Sequence, residues 1–264
     1  MKITLHSMKG SLCLVMALHL LSGLPVWGQV RTKIPHIVFL ISGDPLNYNA
    51  EITIPPFADS LQKSGLFKTT VLKGHGKHES YRFEGLEVIE KADVLVIFFR
   101  RVALSHQQMD QIKSYIQSGR SVVGIRSADH GFSVRGKLAA EGYEGWWGFV
   151  PDILGHEYKG HDSDDLGTVI TLSPSNTGHP VLREISVTKK WKSQGGTYRV
   201  NPLIDPKSVV LLEGSNSNTK EPAAWIRIND YGGKVFYTSL GYPTDFAEPR
   251  FRLLLTNAFK WAGN

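Results

Sequence analysis

Three short apolar segments constrain the fold of this 264-residue chain more than any other feature. They occupy residues 36–42, 93–99 and 121–126, and most of their positions are Val, Ile, Leu or Phe. A strand that is apolar on both faces is typical of the interior of a parallel sheet covered by helices on both sides. The sequence therefore predicts an α/β fold with a mostly parallel central sheet.

Helical and further strand signals alternate with these segments. We expect helices at 50–64, 84–91 and 105–119, the last beginning at Ser105, and a closing helix from Pro249. Additional strands are predicted at 67–72, 169–172, 208–213, 223–228 and 234–240. The early strand–helix–strand spacing indicates right-handed parallel crossovers, whereas some of the later strands are close enough to form antiparallel hairpins.

Residues 1–28 have the layout of a secretory signal. Lys2 and Lys9 precede an apolar run at 12–21, and Val26 and Gly28 place small side chains at the cleavage-recognition positions. The run is shorter than the roughly 20 residues that span a bilayer, and no later segment is apolar enough to do so. We therefore expect an exported protein, periplasmic or secreted, whose mature domain covers 29–264 without a stable membrane span.

The cysteine count and the charge distribution exclude several classes of function. Cys13 is the only cysteine and lies in the leader, so the mature chain has no disulfide, thiolate metal ligand or cysteine nucleophile. The net charge is +6, but no basic run is longer than a pair such as Arg100–Arg101. Nucleic-acid binding normally needs clustered positive charge, so no nucleic-acid partner is expected. Formation of a homo-oligomer stays open.

The apolar periodicity fails between residues 131 and 180, where Gly, Trp, His and Asp accumulate. A long insertion in a compact domain is usually functional or disordered, and the aromatic content argues against disorder. Its aromatic residues and a later tryptophan could either stack on sugar rings or anchor the insertion on the sheet, with packing favoured: Trp146, Trp147, Tyr158 and Trp191.

Polar residues follow the predicted strands at the edge where ligands gather in open parallel sheets. They are Asp44, Asn47 and Tyr48 after the first strand, Arg100 and Arg101 after the third, Arg126, Ser127, Asp129 and His130 after the fourth, and Tyr242 and Asp245 after a late strand. An arginine fork here could hold a carboxylate, a phosphate or vicinal hydroxyls, or could form a structural ion pair with Asp44 or Asp129.

Nitrogen and oxygen ligands for a divalent metal are also available. They are Asp129, His130, His156, Glu157, His161, Asp162 and His179. Their spacing matches no standard zinc pattern, and His179 in Gly-His-Pro is most simply a turn residue. No metal and no cofactor is therefore assigned.

Six segments, in this order, resemble the ThuA-like (trehalose utilisation) family. They lie at residues 98–101, 122–130, 178–182, 222–225, 236–241 and 249–258, and the resemblance covers nearly the whole mature chain. It implies a flavodoxin-like, class I glutamine amidotransferase-like three-layer sandwich with a long inserted loop region. It also implies a carbohydrate as the small-molecule ligand.

The same resemblance argues against glutamine amidotransferase activity. The position that matches the amidotransferase cysteine is Arg126, whose guanidinium cannot attack a carbonyl, and the position of the base is Tyr242. Ser127 does not fit the Gly-x-Ser-x-Gly spacing of a replacement nucleophile, and an N-cap serine is its simpler interpretation.

These observations predict a protein that acts on or binds a carbohydrate or an oxidised sugar derivative. The candidate proton-transfer residues are His130 and His161 with Asp129 as a partner. The candidate binding residues are Asp44, Arg100, Arg126, Ser127, Tyr158, Tyr242 and Asp245. Two alternatives stay open, a noncatalytic ligand-binding module and a metal-dependent hydrolase, so the sequence does not decide whether the protein is an enzyme.

Overall fold

The computed structural model of the protein describes residues 33–134 and 138–264. The predicted leader at 1–28 lies outside these residues. In the described part, extended segments join into a 12-stranded sheet whose strand order is β7-β5-β3-β2-β1-β4-β6-β12-β11-β10-β8-β9. Numbered along the chain, the strands are β1 (His36–Ser42), β2 (Lys68–Lys77), β3 (Ser80–Arg82), β4 (Val94–Phe98), β5 (Leu104–Ser105), β6 (Ser121–Ile125), β7 (Tyr143–Glu144), β8 (Thr168–Leu172), β9 (Trp191–Ser193), β10 (Val209–Ser215), β11 (Lys220–Ile228) and β12 (Lys234–Thr238).

The sheet is mixed, with a parallel centre and mainly antiparallel flanks. Strands β2, β1, β4, β6 and β12 pair in parallel. The late strands β12, β11, β10, β8 and β9 pair antiparallel, as do β2 with β3 and β5 with β7. The expectation of a mostly parallel sheet is therefore correct only for the centre. The short turn at residues 229–233 explains the difference, because a parallel pair needs a long crossover connection.

In the described part of the chain, three α-helices cover the sheet: α1 (Ala50–Lys63), α2 (His106–Gln117) and α3 (Pro249–Gly263). The predicted start of α2 is confirmed, since the Ser105 side chain accepts a hydrogen bond from the Gln108 amide. The predicted helix at 84–91 is instead a short 3-10 segment, Leu86–Lys91.

Alternate side chains of the central strands enter two different cores. In β1, Ile37, Phe39 and Ile41 pack against α1 and α3, whereas Val38 and Leu40 pack against α2 on the opposite face. Both faces of a central strand are therefore buried, which explains the unbroken apolar runs. This arrangement gives three layers.

The insertion after β6 packs on the α2 face of the sheet. It contains β7, a π-helical turn at Phe149–Leu154 and a 3-10 turn at Asp164–Leu166. The Trp225 indole donates a 2.9 Å hydrogen bond to the carbonyl of Leu154, which ties the π-helical turn to β11. Across residues 33–134 and 138–264, no helix has the length and apolarity required to cross a membrane.

Candidate functional site

Strand β6 ends in a sharp elbow whose first residue is Arg126. Its φ is 38°, in the left-handed region that non-glycine residues rarely occupy. The Tyr237 hydroxyl donates a 2.8 Å hydrogen bond to the carbonyl of Arg126 and helps to hold this conformation. A short 3-10 turn, Arg126–His130, follows directly. The sharp elbow expected after this strand is therefore present, with a guanidinium on its first residue.

The Arg126 side chain is buried among aromatic rings. Its Cζ lies 4.3 Å from the ring centre of Tyr48, 4.5 Å from that of Tyr198 and 5.8 Å from that of Tyr242. Nη1 donates a 2.7 Å hydrogen bond to the carbonyl of Ser239. Burial opposes the charge, but the hydroxyls of Tyr198 and Tyr48 raise the pKa of Arg126 overall. The guanidinium thus stays charged, and it pairs with neither of the aspartates suggested by the sequence.

A cavity of about 530 Å³ opens beside the 3-10 turn, between the sheet edge and the insertion. Its volume is within the range typical of small-molecule sites. Its lining combines aromatic and aliphatic side chains with buried polar ones, and it includes Asp129, His130, Trp146, Trp147, His156, Tyr158 and Ile204.

Asp129 is a buried carboxyl at the floor of the cavity. Neither of its oxygens has a hydrogen-bond partner among the described residues. Burial raises its pKa well above the usual value, so the carboxyl tends to keep its proton. A protonated carboxyl can donate a hydrogen bond as well as accept one.

His130 lies against Asp129. Its Nδ1 is 3.1 Å from the backbone carbonyl of Asp129 and 3.5 Å from Oδ1 of the same residue. When Nδ1 donates to that carbonyl, the neutral ring carries its lone pair on Nε2, which is the form that accepts a proton. The geometry therefore makes His130 a candidate general base.

His156 is fully buried at the back of the cavity. Its ring packs 4.6 Å from that of Tyr237 and 4.9 Å from that of Trp225. Neither ring nitrogen has a hydrogen-bond partner among the described residues. Burial lowers the pKa of His156 to about 3, so the ring is neutral at physiological pH. The cavity lining therefore offers two buried polar side chains with unused hydrogen-bonding atoms.

Tyr158 lines the cavity and contacts both His130 and His161. Its ring packs edge-on against His130 at 4.3 Å, and its hydroxyl lies 2.5 Å from Nδ1 of His161. Burial raises the pKa of Tyr158 to about 12, so the hydroxyl is protonated and donates to that nitrogen. Burial also lowers the pKa of His161. The Nδ1 atom of His161 is thus occupied, and the residue lies outside the cavity lining.

The two adjacent tryptophans have different environments. Trp146 packs against Phe132 and Phe149 in the α2-side core. Trp147 is 66% exposed at the rim of the cavity, close to Ile204, which is 52% exposed. Core packing is therefore the role of Trp146, whereas Trp147 presents an open aromatic face.

Asp44 and Arg100 lie in a second, more polar cavity of about 310 Å³ at the ends of β1, β2 and β4. Oδ2 of Asp44 is 3.9 Å from Nε of Arg100 and 3.5 Å from Nε2 of His78. These two predicted residues are thus brought together, in a cavity whose lining does not include His130 or His161.

Three predicted binding residues have structural partners. The buried Ser127 hydroxyl donates to Oδ1 of Asn47. Oδ2 of Asp245 accepts hydrogen bonds of 2.9 Å from Ser193 and from the amides of Gly241 and Tyr242. Asp245 therefore fixes the loop that places the Tyr242 ring beside Arg126.

One residue of this region was not predicted from the sequence. Tyr198 is buried against Arg126, and its hydroxyl is 2.9 Å from that of Tyr48. Arg101, which the sequence places after the third strand, lines the cavity next to His130. Tyr198 follows a segment without periodicity, so no sequence signal indicated its position.

Among residues 33–134 and 138–264, no three His, Cys, Asp or Glu side chains are close enough together to hold a metal ion. His179 caps a short 3-10 turn by accepting a hydrogen bond from the Val181 amide.

Comparison with known proteins agrees with the fold. A ThuA-like protein from Bacteroides uniformis superposes with a TM-score of 0.61 at 16% identity, covering 91% of this chain and 95% of that one. A ThuA-like protein from Parabacteroides merdae gives a TM-score of 0.58 at 16% identity, covering 87% and 90%. No curated protein matches the chain. The ThuA family model, described as trehalose utilisation, matches residues 43–262, and the chain therefore belongs to the ThuA family.

Proposed function

We propose that the protein binds a carbohydrate or an oxidised sugar derivative in the 530 Å³ cavity. The observation that carries this proposal is the pairing of an exposed aromatic face, Trp147, with a buried floor of unpartnered polar atoms on Asp129 and His156. A sugar ring has the same two-sided character, since its C–H face stacks on aromatics and its hydroxyls require buried hydrogen-bond partners. A purely apolar ligand would leave the floor unsatisfied, at a cost of about 1–3 kcal/mol per group.

The chemistry that this floor supports best is proton transfer. His130 would accept a proton from a ligand hydroxyl or from an acidic carbon at Nε2, and the Asp129 carboxyl beside it would hydrogen-bond the oxygen where charge develops. His161 is a poorer base, because the Tyr158 hydroxyl occupies its Nδ1. We therefore assign the catalytic role to His130 and Asp129.

Calorimetry with trehalose, glycosides, keto-sugars and sugar acids tests the binding proposal. Trp147→Ala is expected to weaken binding of the cognate ligand about tenfold, the equivalent of one lost aromatic stacking contact. Tyr231→Ala is the matched control, since Tyr231 is a 46% exposed aromatic residue outside the cavity lining. Equal affinities of the two variants would contradict the proposed platform.

The principal alternative is a noncatalytic binding module. It is favoured by the elbow, which presents Arg126 in place of a nucleophile. Saturable binding without turnover of any compound in the panel would support this alternative. Turnover that His130→Gln reduces while leaving ligand affinity nearly unchanged would support the enzyme.

Export remains part of the proposal. The signal-like layout of residues 1–28 supports it. N-terminal sequencing of protein recovered from the native host should begin at or near Gln29. Retention of residues 1–28 in that protein would contradict cleavage.

A further inference from the structure

One edge of the Arg126 guanidinium has no hydrogen-bond acceptor. Nε and Nη2 are buried and unpartnered among the described residues, although the whole residue is only 1% exposed. The N–H bonds of these two nitrogens point in the same direction. They form the fork with which arginine binds two oxygens of one carboxylate or phosphate.

The remaining contacts hold the guanidinium in place without satisfying this edge. Tyr48 and Tyr198 cover its faces, and Nη1 donates to the carbonyl of Ser239. Gly195 packs so closely that a Cβ there would lie 2.8 Å from Nη2 and 2.9 Å from Cζ and Nη1. The fork is therefore rigid and ready to bind, which lowers the entropic cost of binding.

No nearby carboxylate of the chain neutralises the fork fully. Asp164 is closest, with Oδ1 at 3.6 Å from Nη2, a distance too long for a hydrogen bond. The same oxygen accepts a 2.7 Å hydrogen bond from the Gly196 amide. Oδ2 of Asp245 is already bonded to Ser193 and to two backbone amides. A buried cation with unused donors is unfavourable unless a ligand, an ion or water completes it.

We propose that the Nε–Nη2 edge of Arg126 is a binding site for a small oxyanion, either a carboxylate or a phosphate group. Two oxygens of such a group match the two parallel donors, and the negative charge offsets the buried guanidinium. Arg126 does not line the 530 Å³ cavity, so this site lies beside the one proposed for the sugar.

Asp164 lies beside this site, with Oδ1 at 3.6 Å from Nη2. Its side chain is 45% exposed to solvent. An arriving anion meets this carboxylate and is repelled by it. Removing the charge of Asp164 should therefore strengthen anion binding. If Asp164 were instead a ligand for a cation, the same change would weaken cation binding.

Titration of the protein with sodium acetate and with inorganic phosphate tests the inference. Both titrations are followed by calorimetry in chloride buffer at constant ionic strength. We expect a dissociation constant at or below about 10 mM for at least one of the two anions, a value reasonable for so small a ligand. Binding of acetate alone would indicate a site for carboxylates, and binding of phosphate alone would indicate a site for phosphate groups. Binding of both would indicate a general oxyanion site.

Three variants test the geometry. Arg126→Lys keeps a positive charge but lacks the fork, and Gly195→Ala crowds it, so each should weaken the anion about tenfold or more. Asp164→Asn should tighten binding about threefold or more, because like-charge repulsion is removed. Arg82→Lys, at a 62% exposed arginine, is the matched control and should bind as the wild type does.

The inference is overturned if neither anion binds more strongly than chloride, or if Asp164→Asn and Gly195→Ala leave the affinity unchanged. Either result would mean that water completes the fork. Should Arg126→Lys fail to fold, as judged by circular dichroism, the other two variants decide the question. Loss of anion binding with unchanged sugar binding would separate this site from the cavity.

Discussion

The buried imidazole of His156 should make the stability of the protein depend on pH. The ring is 0% exposed, and burial lowers its pKa from 6.5 to about 3. Between these two values the unfolded chain holds one more proton than the folded protein. Stability is therefore fully present above pH 6.5 and falls as the pH is lowered toward 3.

The size of this change in unfolding free energy follows from the single proton. Each pH unit in the window is worth about 1.4 kcal/mol, so acidification from about pH 6.5 to about pH 4.5 costs about 2.7 kcal/mol. His156→Phe removes the titrating group and keeps an aromatic ring between Trp225 and Tyr237. The other histidines contribute equally to both proteins, so their effect cancels in the difference.

Urea unfolding followed by tryptophan fluorescence, at several pH values, measures this difference. The stability of the wild type relative to His156→Phe should fall by about 2.7 kcal/mol over those two units. Any steric cost of the larger phenyl ring does not depend on pH and shifts all points equally. Phe149→Leu, in the same core, is the control and should show a constant offset. A difference for His156→Phe that does not change with pH would refute the reasoning.

Three further predictions concern the site and its supports. Asp129→Asn should gain stability relative to the wild type as the pH rises above 3.8, as measured by urea unfolding at several pH values. Burial raises the pKa of Asp129, so the folded wild type must hold a proton that the unfolded chain releases. Arg227→Met should cost about 3 kcal/mol in thermal or urea unfolding and weaken ligand binding, because Arg227 bonds Asp205 at 2.7 Å and the carbonyls of Asp152 and Ile153, which directly follow the cavity-lining Pro151. Ser127→Ala should retain any activity found, and loss of turnover with intact folding would contradict the structural role of Ser127. Asn47→Ala should lower the unfolding free energy by about 2–3 kcal/mol, since it leaves the Phe98 carbonyl and the Ser127 hydroxyl unpaired.

Local pattern was sufficient for the central elements. The apolar runs predicted β1, β4 and β6 because both faces of each strand are buried. Burial of both faces requires apolar residues at consecutive positions, which can be seen directly in the sequence. Ser105 predicted the start of α2 because an N-cap acts through a hydrogen bond within one turn. The antiparallel flank was anticipated only as possible hairpins, since strand pairing depends on contacts between distant residues.

The candidate site was predictable only in part. Asp129 and His130 were found because they directly follow a central strand, and they do line the cavity. His161 was grouped with them on residue type, yet the structure places its ring against Tyr158, outside the lining. The position of Tyr198 on Arg126 could not be found, because an insertion without periodicity gives no indication of where its side chains pack.

The sequence by itself determined the α/β class, the ThuA family and the arginine at the elbow, since each of these depends on residue types in chain order. Only the tertiary structure decided what that arginine does. Its guanidinium is held between two tyrosines that are 150 residues apart in the chain, with one edge left unsatisfied. Burial and stacking of this kind arise from long-range packing, which no local sequence pattern encodes.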